Sequence, residues 1–507
     1  MNDVNDSEGR RADRSPSMLA SIASATLSGA VGCAVSVEIH VSSGLPGFTI
    51  VGLPDAAVRE ARDRVRAALL SSGLPWPMRK VTVNLAPSGV RKAGAGLDLP
   101  IAVGLLVATE ECEPRCTEGL SFCGELGLNG SLRHVPGMIA LADAAPTRGL
   151  VVPVCDVHEA ALVRGDDARG VATLAELVRV LRGHAPWPAP PVRPAPTATV
   201  DPPDLSDVRG QELGRRALEV AAAGNHHLLM VGPPGSGKTM LAERLPGILP
   251  PLTLEEALMV TRVHSAAGTL SEGSLIERPP FRSPHHQSSV VSLVGGGNWS
   301  LRPGEASLAT HGVLFLDELA EFAVAALDGL RQPLEEGVIR VSRAFGTVTL
   351  PAEFLLVAAM NPCPCGEGVY EGCCRCTSAM RARYRRRISG PLLDRFDLVV
   401  PLSRPHADDL LHGAPGEPSV NVARRVAVAR VRAAARRSAG GDDAPLVAAA
   451  ETQLEEKLRS GELSARGMRK VSAVARTLAD LSDDPEVSED HVSEALNLRA
   501  AHRIVAQ

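Results

Sequence analysis

Leu228-Leu-Met-Val-Gly232-Pro233-Pro234-Gly235-Ser236-Gly237-Lys238-Thr239-Met-Leu-Ala-Glu-Arg-Leu245 decides how the rest of the chain is read. A short apolar strand runs into a glycine-rich turn, and the turn runs into a helix-like segment. That is the context in which G-x-x-x-x-G-K-[ST] has a physical meaning. The glycines let successive backbone N–H groups turn inward onto phosphate oxygens, Lys238 reaches the β- and γ-phosphates, and the Thr239 hydroxyl ligates Mg²⁺. ATP with Mg²⁺ is therefore the expected cofactor.

Three further segments gain meaning from that loop. Val313-Leu-Phe-Leu-Asp317-Glu318 is a buried strand ending in two carboxylates. An acidic pair at a strand end is ordinarily surface decoration, but beside a phosphate loop Asp317 is expected to take the metal and Glu318 the water. The strand Phe354 to Met360 ends at Asn361, whose amide suits the attacking water, although Asn before Pro is otherwise a turn former. Gly390-Pro-Leu-Leu-Asp-Arg395-Phe-Asp sets an arginine between two aspartates, and Arg466 opens a helix in Ser464-Ala-Arg-Gly-Met-Arg-Lys470. Each arginine alone reads as a salt-bridged surface residue.

At 507 residues the chain has room for about three domains of roughly 150 residues. Residues 1–17 are polar with no apolar core, so they are expected to be a disordered tail rather than a signal or transit peptide. No run of about 18 apolar residues appears, so no transmembrane helix and no membrane partner are expected, and the cytoplasm is the expected location. Residues 18–183 mix β-rich runs (Val35 to Val41, Phe48 to Val51, Lys80 to Leu85) with a helical stretch, Ala56 to Leu70, and read as one α/β domain. Residues 184–204 are a proline-rich linker. Residues 205–404 form a second α/β block with strands His227 to Val231, Gly312 to Leu316, Thr347 to Thr349 and Phe354 to Met360, and a parallel sheet is expected. Residues 405–507 read as a helical bundle over Val420 to Ala435, Ala450 to Leu458, Met468 to Leu481 and Ser488 to Val505, with Ser488 starting the last helix.

Composition limits the partners. A net charge of −5 excludes a protein basic throughout, so nucleic acid must be met by local patches or a pore. Aromatics at 3% argue against a base-stacking platform. Only five of the 53 basic residues are lysines, so arginine is the default cation and arginine runs carry less information. One such run is Arg375, Arg381, Arg383, Arg385, Arg386 and Arg387; another is Arg424, Arg425, Arg430, Arg432, Arg436 and Arg437. Solvated helix faces explain them, or a ring lining a channel for duplex phosphates. Five of the ten cysteines crowd between Cys363 and Cys376. Cys363, Cys365, Cys374 and Cys376 make a two-plus-two set for tetrahedral Zn²⁺, with Cys373 leaving the choice of four open and reduced loop thiols the alternative. Adjacent His285 and His286 lack the i, i+4 geometry of metal ligands and read as structural or subunit contacts.

In this order the motifs resemble the AAA+ ATPases, and among them the magnesium-chelatase-like branch, over nearly the whole chain. Asp207-Val-Arg-Gly-Gln211 is similar to that family's entry to the adenine pocket. Phe281-Arg-Ser-Pro-His-His286, the Gly295 to Gly297 turn and Gly304-Glu-Ala-Ser-Leu-Ala309 are similar to its second-helix insert. The resemblance implies that Asn361 is sensor 1, Arg395 the arginine finger offered to a neighbouring subunit and Arg466 sensor 2, hence a homo-oligomeric ring, a hexamer.

Ser42 to Leu69 and Val81 to Leu106 resemble the ComM/YifB subfamily, whose N-terminal domain is similar to the Lon-protease, S5-type α/β fold; the chain would then be that domain, an AAA+ P-loop core and a helical lid. Phe122 to Gly130 resembles a Lon segment, which raises a rival reading, an ATP-dependent protease needing a Ser-Lys pair. Lys92 to Leu99 holds no serine, no lysine lies between Gly130 and Lys238, and Ile139 occupies the approximate place of the lysine. An inactive domain reused for assembly or DNA handling is expected instead. The resemblance implies a ring motor promoting branch migration of duplex or branched DNA during homologous integration of transforming DNA. The alternatives are the ATPase subunit of a metal-insertion complex and a protein remodeller without DNA.

Overall fold

A computed structural model describes residues 19–191, 201–270, 274–296, 302–343, 346–367, 374–438 and 445–502. The expected tail, the middle of the linker, Gly297, Cys373 and the end of the last expected helix lie outside the described residues. Two compact units emerge, one within Met1–Ala195 and Ser265–Ser274, the other within Pro196–His264 and Leu275–Gln507.

The N-terminal unit is built from β1 (Leu19–Ser28), β2 (Val31–Ser42), β3 (Gly47–Val51), β4 (Lys80–Ala86), β5 (Leu120–Phe122), β6 (Glu125–Leu126), β7 (Leu132–Arg133), β8 (Gly149–Pro153) and β9 (Ala168–Val171). Seven of them form one sheet in the order β3-β4-β2-β1-β5-β8-β9, antiparallel in its β4-β2-β1 centre and parallel elsewhere. On β2, Val35, Val37, Ile39 and Val41 are buried while Ser36, Glu38 and His40 are not, the period of two that one covered face imposes. The covering helices explain it. Ala56–Ser71 starts where the Asp55 carboxylate accepts from Val58 N–H (2.8 Å) and buries Val58, Ala61, Val65, Ala68 and Leu69. Asp98–Ala108 is buried along its whole length.

The second unit holds β10 (Leu228–Val231), β11 (Phe281–Arg282), β12 (Val313–Leu316), β13 (Val338–Arg343), β14 (Gly346–Pro351), β15 (Leu355–Met360) and β16 (Leu398–Pro401). Five form a parallel sheet in the order β11-β12-β15-β10-β16. β10, β12 and β15 are buried at every residue, as a sheet covered on both faces requires. The Thr347 to Thr349 run is not part of it. It lies in β14, which pairs antiparallel with β13 in a separate hairpin. Its pattern agrees, since Thr347 and Thr349 are exposed while Leu350 and its partner Ile339 are buried.

The helices Glu212–Gly224, Ser419–Ser438, Ala448–Arg459, Ala465–Ser482 and Glu489–Asn497 share this unit's core: Val422, Val426, Val474 and Leu478 join Leu228, Met230, Leu398 and Val400 in one apolar cluster. Ser488 caps the last helix, accepting from His491 N–H. That helix stops at Asn497 rather than continuing, because the chain turns back onto β16, where Leu498 O accepts from Val399 N–H (2.9 Å) and Ala501 N–H reaches Val399 O (3.1 Å).

Candidate active site

Parallel strands carry their C-terminal ends to one edge of a sheet, where crevices and ligands are found. Here three neighbouring strands end in the three sequence motifs: β12 in Asp317-Glu318, β15 in Asn361 and β10 in the glycine-rich loop. The loop turns at Gly235 (φ 78°) and Gly237 (φ 83°), left-handed conformations that side chains resist. Gly232 is needed for a different reason, since a Cβ there would fall 2.5 Å from Leu402 O. Ser236 is fully buried, and its carbonyl accepts from Gln211 Nε2 (2.9 Å), which also donates to Ser403 O (2.7 Å). The Asp207 to Gln211 segment thus braces the loop from outside.

Lys238 Nζ donates to Gly232 O (2.8 Å), Pro233 O (2.9 Å) and Asn361 Oδ1 (3.3 Å). Burial lowers its pKa, with Asp317 and Glu318 opposing. Thr239 Oγ1 donates to Asp317 Oδ2 (2.7 Å), so the two hard oxygen ligands expected for Mg²⁺ are already side by side. Asp317 Oδ1 accepts from Glu318 N–H (2.9 Å). Glu318 sits in the left-handed region (φ 52°), half exposed, and its Oε2 lies 3.1 Å from His286 Nδ1. The histidine contact was not foreseen from sequence. Its only signal was the Phe281 to His286 motif itself.

Arg395 and Arg466 do not join this set. Arg395 pairs with Glu335, and burial together with the charges of Arg466 and Arg331 lowers its pKa. Arg466 reaches Asp394 Oδ2 at 3.5 Å. Among the described residues neither arginine bonds to Lys238, Thr239, Asp317 or Glu318.

The sulfurs of Cys363, Cys365, Cys374 and Cys376 lie within 4.8 Å of one another, with Cys363–Cys365, Cys363–Cys374 and Cys365–Cys374 separations of 3.3, 3.7 and 3.8 Å. Tetrahedral Zn–S bonds of about 2.3 Å place sulfurs about 3.8 Å apart, so the donor set fits. The backbone N–H of Glu367, foremost, holds the Cys365 thiol down to about 6, while burial pushes Cys363 up to about 12. This loop touches the phosphate loop. A Cβ on Gly366 would fall 2.5 Å from Pro234 Cδ, and Arg404 donates to both Pro234 O (3.2 Å) and Glu367 Oε1 (2.7 Å).

The two arginine runs differ. Arg425 pairs with Glu219 and Glu417, Arg430 donates to Ala222 O, Arg432 to Asp480 O, and Arg436 to both Asp480 oxygens, so most of the second run joins helices together. In the first, Arg387 pairs with Glu321, but Arg375, Arg381, Arg383 and Arg386 are exposed and have no acidic partner among the described residues. In the N-terminal unit Lys92 is buried and donates to Pro87 O, while Ile139 is buried and its N–H donates to Glu159 Oε1 (3.1 Å).

Residues 204–410 match the family described as magnesium chelatase, subunit ChlI; residues 416–499 match its C-terminal family, and residues 37–156 match subunit ChlI of Mg-chelatase. YifB of Escherichia coli is 43% identical over 488 residues, covering 93% of this chain and 95% of that protein. Competence protein ComM of Haemophilus influenzae is 41% identical over 490 residues, again 93% and 95%. The chain belongs to the magnesium-chelatase-like ComM/YifB family. A shorter likeness, 25% over 179 residues (35% of this chain and 23% of the relative), links it to the probable DNA helicase MCM9 of Arabidopsis thaliana. A ComM/YifB protein is AAA+-like, which implies ATP and Mg²⁺ as ligands and a habit of oligomerising. Among its described residues no helix is long and apolar enough to cross a membrane.

Proposed function

We propose that this chain is the subunit of a hexameric ATP-hydrolysing ring that drives branch migration of DNA during homologous integration of transforming DNA. The observation that carries the hydrolytic part is the pairing of Thr239 with Asp317 (2.7 Å) beside Lys238 with Asn361 (3.3 Å). Lys238 exchanges carbonyl and amide partners for phosphate oxygens, Thr239 and Asp317 hold Mg²⁺, Asn361 orients the water and Glu318 takes its proton. Bound Mg²⁺ supplies charge neutralisation at the phosphates. Arg395 serves a neighbour's site as a finger, and Arg466 acts as sensor 2.

Residues 18–183 are then an inactive Lon-like domain, 184–204 a linker, 205–404 the AAA+ core and 405–507 the helical lid, in a cytoplasmic protein. Zn²⁺ at Cys363, Cys365, Cys374 and Cys376 would stiffen the loop that follows Asn361 and packs on Pro234. DNA as the track is supported by the similarity to a competence protein and by the partial likeness to a helicase, and the exposed arginines near Arg381 suit phosphates without sequence reading. The family description favours one rival, the ATPase subunit of a metal-insertion complex. ATP hydrolysis measured with four-way junctions, forks, linear duplex and single strands separates them. Branched DNA is expected to bind in a salt-sensitive way and to accelerate hydrolysis; rings that neither bind it at low salt nor respond to it leave chelatase or remodelling work as the function.

A further inference from the structure

Arg395 is held lightly at its side chain and firmly at its backbone. Its guanidinium pairs with Glu335 where both side chains are partly exposed, so another anion can take that partner's place. The main chain is fixed from several directions. Asp394 to Asp397 leave the short helix Gly390–Leu393 and lead into β16. Lys470 Nζ donates to Arg395 O (2.9 Å), and Arg499 Nη1 donates to both Phe396 O (2.6 Å) and Asp397 O (2.9 Å). Lys470 also pairs with Asp397 Oδ1, while Asp397 Oδ2 accepts from His227 N–H (2.9 Å). The Lys470 and Asp397 side chains are mostly buried, and Phe396 is fully buried. Lys470 lies one turn after Arg466 on the helix Ala465–Ser482, and Arg466 reaches Asp394 Oδ2 (3.5 Å). One helix face therefore touches both ends of the segment that carries Arg395.

An arginine that acts on a neighbouring subunit's nucleotide must be presented at a set reach, since a misplacement of about 1 Å can cost about 100-fold in rate. Its long side chain is free to turn, so the main chain has to supply that reach. A contact that merely fastened the helix Ala465–Ser482 to β16 could end on Asp397 alone; Lys470 uses a second donor on the carbonyl of Arg395 itself. We propose that Lys470 is a positioning residue for hydrolysis at the neighbouring subunit's site: it fixes the main chain at Arg395, and from that fixed point the guanidinium exchanges Glu335 for the neighbour's phosphate oxygens. Lys470 touches no nucleotide and makes and breaks no covalent bond. The proposal rests on the reading of Arg395 as a finger in a ring.

The test mixes variants of the full chain in rings whose co-assembly is verified with labelled subunits, and reads ATP turnover, nucleotide affinity and thermal melting. Lys238→Ala mixed with Arg395→Ala is the reference, because one kind of interface in those rings pairs an intact phosphate loop with an intact finger. Lys470→Met by itself should turn over about tenfold or more slowly with ATP affinity unchanged, the loss expected of a misplaced group. Lys470→Arg, which keeps donors for both oxygens, should recover part of the rate. Mixed with Lys238→Ala, Lys470→Met should regain turnover as the reference pair does, since its own site then meets an intact finger. Mixed with Arg395→Ala it should regain none, because no interface holds a correctly presented finger. Lys470→Met with Asp397→Asn avoids stranding a buried charge and should show the same polarity. Rescue by Arg395→Ala, or by neither partner, overturns the proposal. So does a wild-type rate in Lys470→Met, or loss of cooperative melting in both Lys470→Met and the double variant. A reference pair that recovers nothing in mixed rings would instead overturn the finger reading itself.

Discussion

The two units both rest on α/β sheets with buried strands, and a closed ion pair inside the first contrasts with the charged cluster at the sheet edge of the second. In the N-terminal unit the Asp98 side chain is 1% exposed and closed by a bidentate Arg64 (2.6 and 2.9 Å) and the N–H of Leu126 (3.3 Å); burial still pushes its pKa to about 6. Asp156 is likewise filled by His134 and the N–H of Val135. In the second unit Lys238 is bonded to carbonyl and amide oxygens that a phosphate can replace, and the Glu318 side chain stays 55% exposed. Carboxylates whose lone pairs are filled by fixed donors hold a fold. Charges with exchangeable partners at a sheet edge are available for chemistry.

That contrast can be broken or sharpened by substitution. Lys238→Ala should give the largest effect, abolishing productive nucleotide binding while leaving the melting temperature nearly unchanged, as checked by titration of a fluorescent ATP analogue and calorimetry. Cys363→Ser with Cys365→Ser should come next. Elemental analysis is expected to fall from about one Zn per chain to none. Because Gly366 and Arg404 connect that loop to Pro234, nucleotide affinity should weaken with it. Protein free of metal from the start, with unaltered affinity in the variant, would leave the thiols as ordinary loop residues.

Arg64→Ala attacks the other side of the comparison. Stranding the buried Asp98 should cost about 3–5 kcal/mol of the N-terminal unit's stability. Turnover per folded molecule at low temperature is expected to stay at the wild-type value, and a large loss of turnover in well-folded protein would blur the distinction between the units. The smallest effect should come from Arg381, Arg383 and Arg386 changed together to alanine. Basal hydrolysis should persist, while the salt dependence of DNA binding flattens by about one in log–log slope for each phosphate that is no longer neutralised.

Much of the site was legible because its motifs are local strings at the ends of apolar strands. The glycine loop, Asp317-Glu318 and Asn361 could be placed without knowing the sheet order. The strands β2, β3 and β4 and the helix Ala56–Ser71 were legible from their periodicity, as were the C-terminal helices. β11 has two residues and β16 four, too few to show a period, and both are edge strands defined by what they pair with. Thr347 to Thr349 looked like another core strand because three β-formers do not reveal whether one face or two will be covered. The contacts between His286 and Glu318, and between Arg404 and Pro234 across 170 residues, are tertiary and leave no string to find. The same holds for the second arginine run, whose partners Glu219 and Asp480 lie on other helices.

The central claim is that Glu318 activates water at a phosphate site built by Lys238, Thr239, Asp317 and Asn361. Its most direct test is the single-turnover rate of ATP cleavage in Glu318→Gln, measured beside the affinity for ATP. ATP is expected to bind with near wild-type affinity and to be cleaved at least about 100-fold more slowly, the loss expected when a general base is removed. Cleavage at the wild-type rate by fully loaded Glu318→Gln protein would contradict it.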